Sequence, residues 1–208
     1  MWWRQYLAGK RKEDYLNWKK NYWRALFDRF DLWPPPGAAI LDAGCGPAGA
    51  YLVLDACPVD AVDPLLDAYE KHLPHFSRTA YPQVRFFNST LEKFKPACRY
   101  DRIFCLNALN HVDDLTACIR GLSLNLAPGG VLVCTVDVHR RAWLGKIFRI
   151  LPGDILHPHQ WTAAEYERLF HSFGLECFER QTLKKGLIFN YLLMKLHHRP
   201  ETRAGHSS

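Results

Sequence analysis

The chain has 208 residues, 48% of them apolar and 23% charged, which suits one globular domain with a buried core. No stretch approaches the roughly 18 apolar residues of a membrane span, so we expect no transmembrane segment. The net charge of +6 is spread along the chain without a zinc-finger, KH or RRM motif, which argues against nucleic acid as a partner. Seven cysteines without a C-x-x-C pair fit a reducing compartment, and we predict a cytoplasmic location.

The first predicted element is an amphipathic helix within residues 1–33, which hold five of the seven tryptophans. Two series recur at helical spacing, one with Tyr15, Trp18, Tyr22 and Leu26, the other with Trp23, Phe27 and Phe30. Three prolines and a glycine at 34–37 end the helix. We interpret residues 1–36 as a helical cap, either a lid over a substrate or part of the ordinary core or an oligomer face.

Residues 37–196 alternate short apolar runs with helical patterns. Strands are predicted at 39–41, 59–62, 84–87, 102–106, 131–135, 175–180 and 187–196. Helices are predicted at 50–57, at 115–126 before a turn at 127–130, and at 163–173, between a capping box that starts at Thr162 and a stop at Gly174. This alternation is typical of βαβ units around a parallel sheet.

A glycine-rich loop follows the first strand. Gly44, Gly46 and Gly49 form a G-x-G-x-x-G pattern, which either lets a nucleotide-like ligand approach the backbone or forms only a turn. The same pattern marks dinucleotide sites. Asp42 precedes the loop, where its carboxylate would repel a pyrophosphate, so a sulfonium ligand fits better unless Asp42 only braces the loop. Cys45 is predicted to fill space rather than to act as a nucleophile.

A second acidic residue ends the second strand. Asp63 lies nineteen residues after Gly44 and can accept both hydrogen bonds of a ribose diol. Sites for NAD and for S-adenosylmethionine both use such a carboxylate. The alternative role of Asp63 is a helix cap before Pro64.

With these motifs the chain resembles the class I S-adenosylmethionine-dependent methyltransferases that act on small molecules. The resemblance covers about residues 36–196 and rests on Ile40–Gly46, Asp63, Asn107–Asp113 and Leu126–Gly130. It implies a Rossmann-like α/β fold with a mostly parallel seven-stranded sheet, flanking helices and an antiparallel last strand. It also implies S-adenosyl-L-methionine as cofactor and S-adenosyl-L-homocysteine as product.

The resemblance further implies where the cofactor lies. The glycine loop lies under its methionine and ribose moieties, Asp63 takes the ribose hydroxyls, and Asn107 is near the methionine moiety. Many relatives carry glutamate where this chain has Asn110, which weakens the case for a catalytic acid there. The predicted cofactor-binding residues are Asp42, Gly44, Cys45, Gly46, Gly49, Asp63, Pro64, Asn107 and Ala108, with Ser89, Thr90 and Leu91 near the adenine.

The methyl acceptor requires a different set of residues. Methyl transfer is an in-line displacement, and the protein contributes proximity, orientation and exclusion of water. The candidate bases are His111, His157 and His159, because histidine titrates near neutral pH. In relatives a segment like that around His157 and His159 borders the acceptor pocket, although these histidines have the alternative role of bracing a turn. Together with Asp154 they lack a fourth metal ligand, and we predict no metal.

The predicted domains are the cap, a methyltransferase domain at 37–196 with an insertion at 139–161 that covers the acceptor, and a flexible tail at 197–208. Aromatic residues in the cap and the insertion favour an apolar or aromatic acceptor. The alternatives are an NAD(P)-binding oxidoreductase and a catalytically silent binding protein on the same fold. A homodimer is left open.

Overall fold

The computed structural model describes residues 2–139, 161–185 and 189–200. The helices are α1 (Trp2–Leu7), α2 (Lys12–Phe30), α3 (Leu66–His72), α4 (Leu115–Asn125) and α5 (Ala163–Ser172). The strands are β1 (Ile40–Ala43), β2 (Val59–Val62), β3 (Val84–Phe87), β4 (Tyr100–Leu106), β5 (Leu126–His139), β6 (Leu175–Lys185) and β7 (Phe189–His198). Short 3-10 helices lie at Gly46–Ala48, Ala50–Val53, Arg78–Ala80 and Leu109–His111.

The seven strands form one sheet in the order β3-β2-β1-β4-β5-β7-β6. Strand β1 pairs in parallel with β2 and β4, and β7 runs antiparallel between β5 and β6. This confirms the predicted Rossmann-like sheet with an antiparallel last strand. The strand order reverses between β1 and β4, so the carboxyl ends of these strands border the crevice in which open α/β sheets bind ligands.

Apolar side chains cover both faces of the sheet, as the alternation of side chains along a strand requires. On β4, Phe104 belongs to the apolar cluster that α2 covers with Phe27. Its neighbours Ile103 and Cys105 belong to the second cluster, which α4 and α5 cover. The core therefore has two layers of helices around one sheet, as the strand and helix pattern predicts.

The N-terminal segment forms two helices, and the prediction of a single helix is wrong. Gly9, at φ 78°, lies in the turn between α1 and α2. Helix α2 ends at Phe30, before the proline run, because Asp31 adopts a left-handed conformation and donates its backbone N–H to the carbonyl of Phe27.

The two aromatic series of α2 differ in burial. Trp23 and Phe27 are buried, as the second series predicts. Trp18 and Tyr22 keep 52% and 38% of their surface exposed, so the first series is only partly core. Helical periodicity finds both series but does not decide which of them contacts the sheet.

Two local predictions after strands are wrong. The segment after the glycine loop forms one 3-10 turn, Ala50–Val53, rather than a helix over 50–57, and β2 then begins at Val59. The predicted turn at 127–130 lies within β5, as a shift of register between the pairs Tyr100–Leu126 and Arg102–Val131.

The capping box of α5 is present as predicted, with Thr162 and Glu165 bonding each other's backbone N–H groups. Gly174 adopts the left-handed conformation, at φ 77°, just after the helix. Strand β7 continues to His198, two residues beyond the predicted domain end. None of the described helices is long and apolar enough to cross a membrane.

Candidate functional site

The glycine loop connects β1 to the 3-10 turn at the crevice of the sheet. Gly44 and Gly46 have φ values of 73° and 59°, which favour glycine. A Cβ on Gly44 would collide with the side chain of Ala108, and a Cβ on Gly49 would lie 2.5 Å from Asp42 Oδ2. The loop therefore needs these two glycines for its own packing, whereas Gly46 faces the ring of Trp3 at 3.8 Å.

Asp42, in β1, stabilises the chain that follows the glycine loop. Its side chain is 2% exposed, and its Oδ2 accepts a hydrogen bond from the backbone N–H of Tyr51 at 2.9 Å. Burial raises the pKa of Asp42 to about 7, and the nearby Asp63 carboxylate adds to this increase. The Asp42 carboxyl therefore titrates near neutral pH.

Asp63, at the end of β2, joins the glycine loop to the loop that leads into α3. Its Oδ2 accepts the backbone N–H of Gly46 at 3.0 Å, and its Oδ1 accepts that of Leu65 at 2.8 Å. Burial raises its pKa. The Tyr69 hydroxyl is a third donor to this carboxylate, whose roughly four acceptor sites leave one for a ligand hydroxyl. Both roles predicted for Asp63, capping and ligand binding, are compatible with this geometry.

Two aromatic residues at the loop escaped the sequence analysis. Trp3 of α1 packs edge-on against Tyr69 of α3, with ring centroids 6.4 Å apart. Burial and the nearby Asp63 carboxylate raise the pKa of Tyr69, whose hydroxyl bonds Asp63. No motif signals this contact, because it joins two helices that are distant in sequence. The only sequence signal of this contact is the high aromatic content of the N-terminal segment.

The region predicted to contact adenine lies beyond β3. The backbone N–H of Asp63 donates to the carbonyl of Phe87, which brings the end of β3 beside the Asp63 loop. Ser89 Oγ donates to the carbonyl of Thr90 at 3.1 Å, and Leu91 is buried. Pro64 is exposed beside Asp63. The structure thus brings these predicted residues to the same edge as the glycine loop.

Asn107 closes β4 in a left-handed conformation, at φ 57°. Its backbone N–H donates to Thr135 Oγ1 at 2.8 Å, and this hydroxyl lies 2.6 Å from the hydroxyl of Tyr191. Ala108 packs against Gly44, which ties this turn to the glycine loop. Tyr191 was not predicted, since nothing in the β7 sequence distinguishes it from a strand residue.

Asn110 has a structural role in place of the glutamate of many relatives. Its amide nitrogen donates to the carbonyl of Asp137 at 3.1 Å, and its amide oxygen accepts the N–H of Asp137 at 3.2 Å. The side chain thus pairs with β5 where β4 has already ended. His111 follows on the surface.

The predicted bases His157 and His159, the possible metal ligand Asp154 and residues 140–160 of the predicted insertion lie outside the described residues. Within the described ranges, no three histidine, cysteine, aspartate or glutamate side chains are grouped as metal ligands. Burial and the nearby Asp42 and Asp63 raise the pKa of the Cys45 thiol well above its usual value. A protonated, buried thiol fits the predicted space-filling role.

Comparison with known proteins identifies relatives of this chain. It is 26% identical over 176 residues to a ubiquinone biosynthesis O-methyltransferase of Rhodopseudomonas palustris (strain HaA2). The match covers 75% of this chain and 64% of that protein. It is 27% identical over 143 residues to a trans-aconitate 2-methyltransferase of Azoarcus sp. (strain BH72). That match covers 68% of this chain and 56% of the relative. The chain thus spans less than two thirds of the length of these curated relatives.

A solved structure with the same fold is the N-methyltransferase NodS from Bradyrhizobium japonicum WM9 in complex with S-adenosyl-L-homocysteine. The TM-score is 0.62 at 16% identity, and the match covers 93% of this chain and 91% of that chain. A family model described as a methyltransferase domain matches residues 15–180, which include the glycine loop and Asp63. The chain therefore belongs to the methyltransferase domain family.

Proposed function

We propose that the protein is an S-adenosylmethionine-dependent methyltransferase that transfers a methyl group to a small organic acceptor. The observation that carries this proposal is the pair of buried carboxyl groups, Asp42 and Asp63, at the glycine loop. Burial raises the pKa of both, so a pyrophosphate at the loop would increase the cost of their ionisation. The positive sulfonium of S-adenosylmethionine would decrease it. This favours a methyl donor over a dinucleotide, in agreement with the family.

The residues of the crevice fit the cofactor. A Cβ on Gly46 would meet no atom closer than 3.8 Å, and Asp63 keeps an acceptor site for a ribose hydroxyl. When bound, the cofactor supplies a methyl group already activated by the sulfonium charge. The chain then has to hold both substrates in line and exclude water.

The proposal extends to the parts of the chain that carry the acceptor. Both curated relatives are named for reactions of small organic molecules, which supports an acceptor of that kind. We also propose that the N-terminal 36 residues cap the domain, that the segment from 139 to 161 covers the acceptor, and that the protein is cytoplasmic.

Asp63→Ala should weaken binding of S-adenosyl-L-homocysteine by about tenfold to a hundredfold, because the ligand loses a charged acceptor and the Gly46 N–H of the loop loses its partner. Isothermal titration calorimetry measures the effect. Asp55→Ala, which removes an exposed carboxylate of the same charge, is the matched control and should bind normally. An unchanged dissociation constant in a folded Asp63→Ala variant would remove Asp63 from the site. A wild-type protein that binds NADH but not S-adenosyl-L-homocysteine would overturn the proposed function.

His157 and His159 remain the predicted bases for the acceptor. Substituting either histidine by alanine should leave the affinity for the cofactor nearly unchanged. If that histidine is the base that takes the acceptor proton, turnover should fall by about a hundredfold. Turnover is measured on a panel of phenols, quinone precursors and amines. His171→Ala, on the exposed surface of α5, is the control. Equal losses of binding and turnover would place the histidines at the cofactor instead, and full activity of the double variant would make them scaffold.

A further inference from the structure

The hydroxyls of Tyr191 and Thr135 meet at the carboxyl end of the sheet, on the face that α2 covers. Strand β7 places Tyr191 opposite Asp137 of β5, and its hydroxyl lies 2.6 Å from Thr135 Oγ1. Side chains two residues apart on a strand share a face. Val133 and Leu193, two residues from Thr135 and Tyr191, belong to the apolar cluster on the α2 side. The hydroxyl pair therefore lies between the sheet and α2.

The other partner of Thr135 determines which of the two hydroxyls is the donor. Thr135 Oγ1 accepts the backbone N–H of Asn107, since an N–H group can only donate. Thr135 is fully buried, so its own proton cannot reach solvent. Among the described residues, the Tyr191 oxygen is the acceptor within reach of this proton, and leaving a buried donor unbonded is costly. Thr135 is therefore the donor and Tyr191 the acceptor.

This direction leaves the phenol proton of Tyr191 without an acceptor among the described residues. Burial raises the pKa of Tyr191, against the hydrogen bond from Thr135, and the nearby Tyr22 and Asp137 add to the increase. The phenol thus keeps its proton at neutral pH. Unlike Thr135, Tyr191 is only partly buried, so this proton can reach a bound molecule. The hydroxyl is a donor held in place by the protein but not used by it.

The position of Tyr191 in the sheet separates it from the cofactor-binding loop. Strands β4 and β5 lie between β1 and β7, so the spacing of strands puts this hydroxyl about 14 Å from the glycine loop. Helix α2 spans that distance. Its Lys19 is close enough to Asp42, and its Tyr22 close enough to Tyr191, for their charges to interact. Tyr191 therefore lies beside the crevice, on the side away from Asp63.

We propose that Tyr191 binds the methyl acceptor by donating its phenol proton to an oxygen of that molecule. The inference rests on the proposed function, because it assigns a residue to the second substrate of that reaction. A donor fixed in advance by Thr135 orients the acceptor for in-line transfer. An oxygen offers the lone pair that this donor needs, and a charged oxygen accepts most strongly, whereas a protonated amine has no lone pair. Tyr191 thus selects acceptors that carry an oxygen at this position.

The first experiment compares two ligands of similar shape, 4-nitrophenol and 4-nitrotoluene, which has a methyl group in place of the hydroxyl. Wild type, Tyr191→Phe and the matched control Tyr81→Phe are saturated with S-adenosyl-L-homocysteine and dialysed against each ligand, at a pH where the phenol is ionised. Tyr191→Phe should bind the phenolate about tenfold more weakly than wild type and 4-nitrotoluene equally well. Tyr81, also partly buried, precedes β3 at the far edge of the sheet, so Tyr81→Phe should bind both ligands normally. A purely structural role of Tyr191 would weaken both ligands alike.

The second experiment tests whether Thr135 positions the phenol. Thr135→Ser keeps the hydroxyl and should bind the phenolate as wild type does. Thr135→Val removes it and should lower this affinity toward that of Tyr191→Phe, and combining the two substitutions should add little further loss. Urea denaturation shows whether each variant is folded, and Tyr191→Phe remains decisive if Thr135→Val is not.

Equal affinity of wild type and Tyr191→Phe for the phenolate, including no binding by either, would overturn the proposal. A wild type that does not bind S-adenosyl-L-homocysteine in calorimetry would instead overturn the proposed function, and this proposal with it.

Discussion

Gly44→Ala is expected to lower the free energy of unfolding by about 2 to 5 kcal/mol, whereas Gly129→Ala should lower it by about 1 to 2 kcal/mol. The two glycines have nearly the same φ, 73° and 75°, so both substitutions carry the cost of a left-handed alanine. Only at Gly44 does the new Cβ collide with a neighbour, the side chain of Ala108. No atom lies within 4 Å of a Cβ at Gly129. Urea denaturation of the two variants therefore isolates the effect of the collision.

Gly46→Ala separates stability from binding in the same loop. Its φ of 59° carries a similar strain, but the nearest atom to a new Cβ is 3.8 Å away, on Trp3. We expect Gly46→Ala to be about as stable as Gly129→Ala and to bind S-adenosyl-L-homocysteine more weakly than wild type. Equal losses of stability in all three variants would show that the Ala108 contact relaxes at no cost.

Asp42→Asn should remove a large pH dependence from the stability of the fold. Burial raises the pKa of Asp42 from 3.8 to about 7, so the folded state retains a proton that the unfolded state has lost. Stability from this group is complete below pH 3.8 and is lost as the pH rises to about 7. At roughly 1.4 kcal/mol per tenfold change in proton affinity, the whole difference is about 4 kcal/mol.

Asparagine keeps an oxygen for the backbone N–H of Tyr51 but cannot ionise. Between pH 5 and 8 we therefore expect wild type to lose about 3 kcal/mol relative to Asp42→Asn. Urea denaturation across this range measures the difference, and Asp55→Asn, at an exposed position, should follow wild type. Parallel curves for wild type and Asp42→Asn would mean that Asp42 ionises as freely in the folded protein as in the unfolded chain.

Sequence patterns predicted the scaffold better than the contacts within the site. Strands β2 and β3 have the predicted bounds, because buried parallel strands are short, continuous apolar runs. Two of the three motif glycines turned out to be required by Ala108 and Asp42, which no spacing reveals. The placement of Lys19 beside Asp42 was equally hidden, since it depends on which face of α2 contacts the loop.

Strand β5 extends beyond the end of its neighbour β4, and this affects how the protein tolerates changes in chain length. Thr135 is the last β5 residue that pairs with β4. Beyond it, β5 still pairs with β7 as far as His139, while Asn110 bonds its other edge at Asp137. The chain is fixed again at Thr162 by the capping box. Pairing with β7 holds the first anchor point, and the capping box holds the second. Because closing a loop of doubled length costs only about 0.6 kcal/mol more, we expect a change of chain length between His139 and Thr162 to leave the stability of both anchor points nearly unchanged.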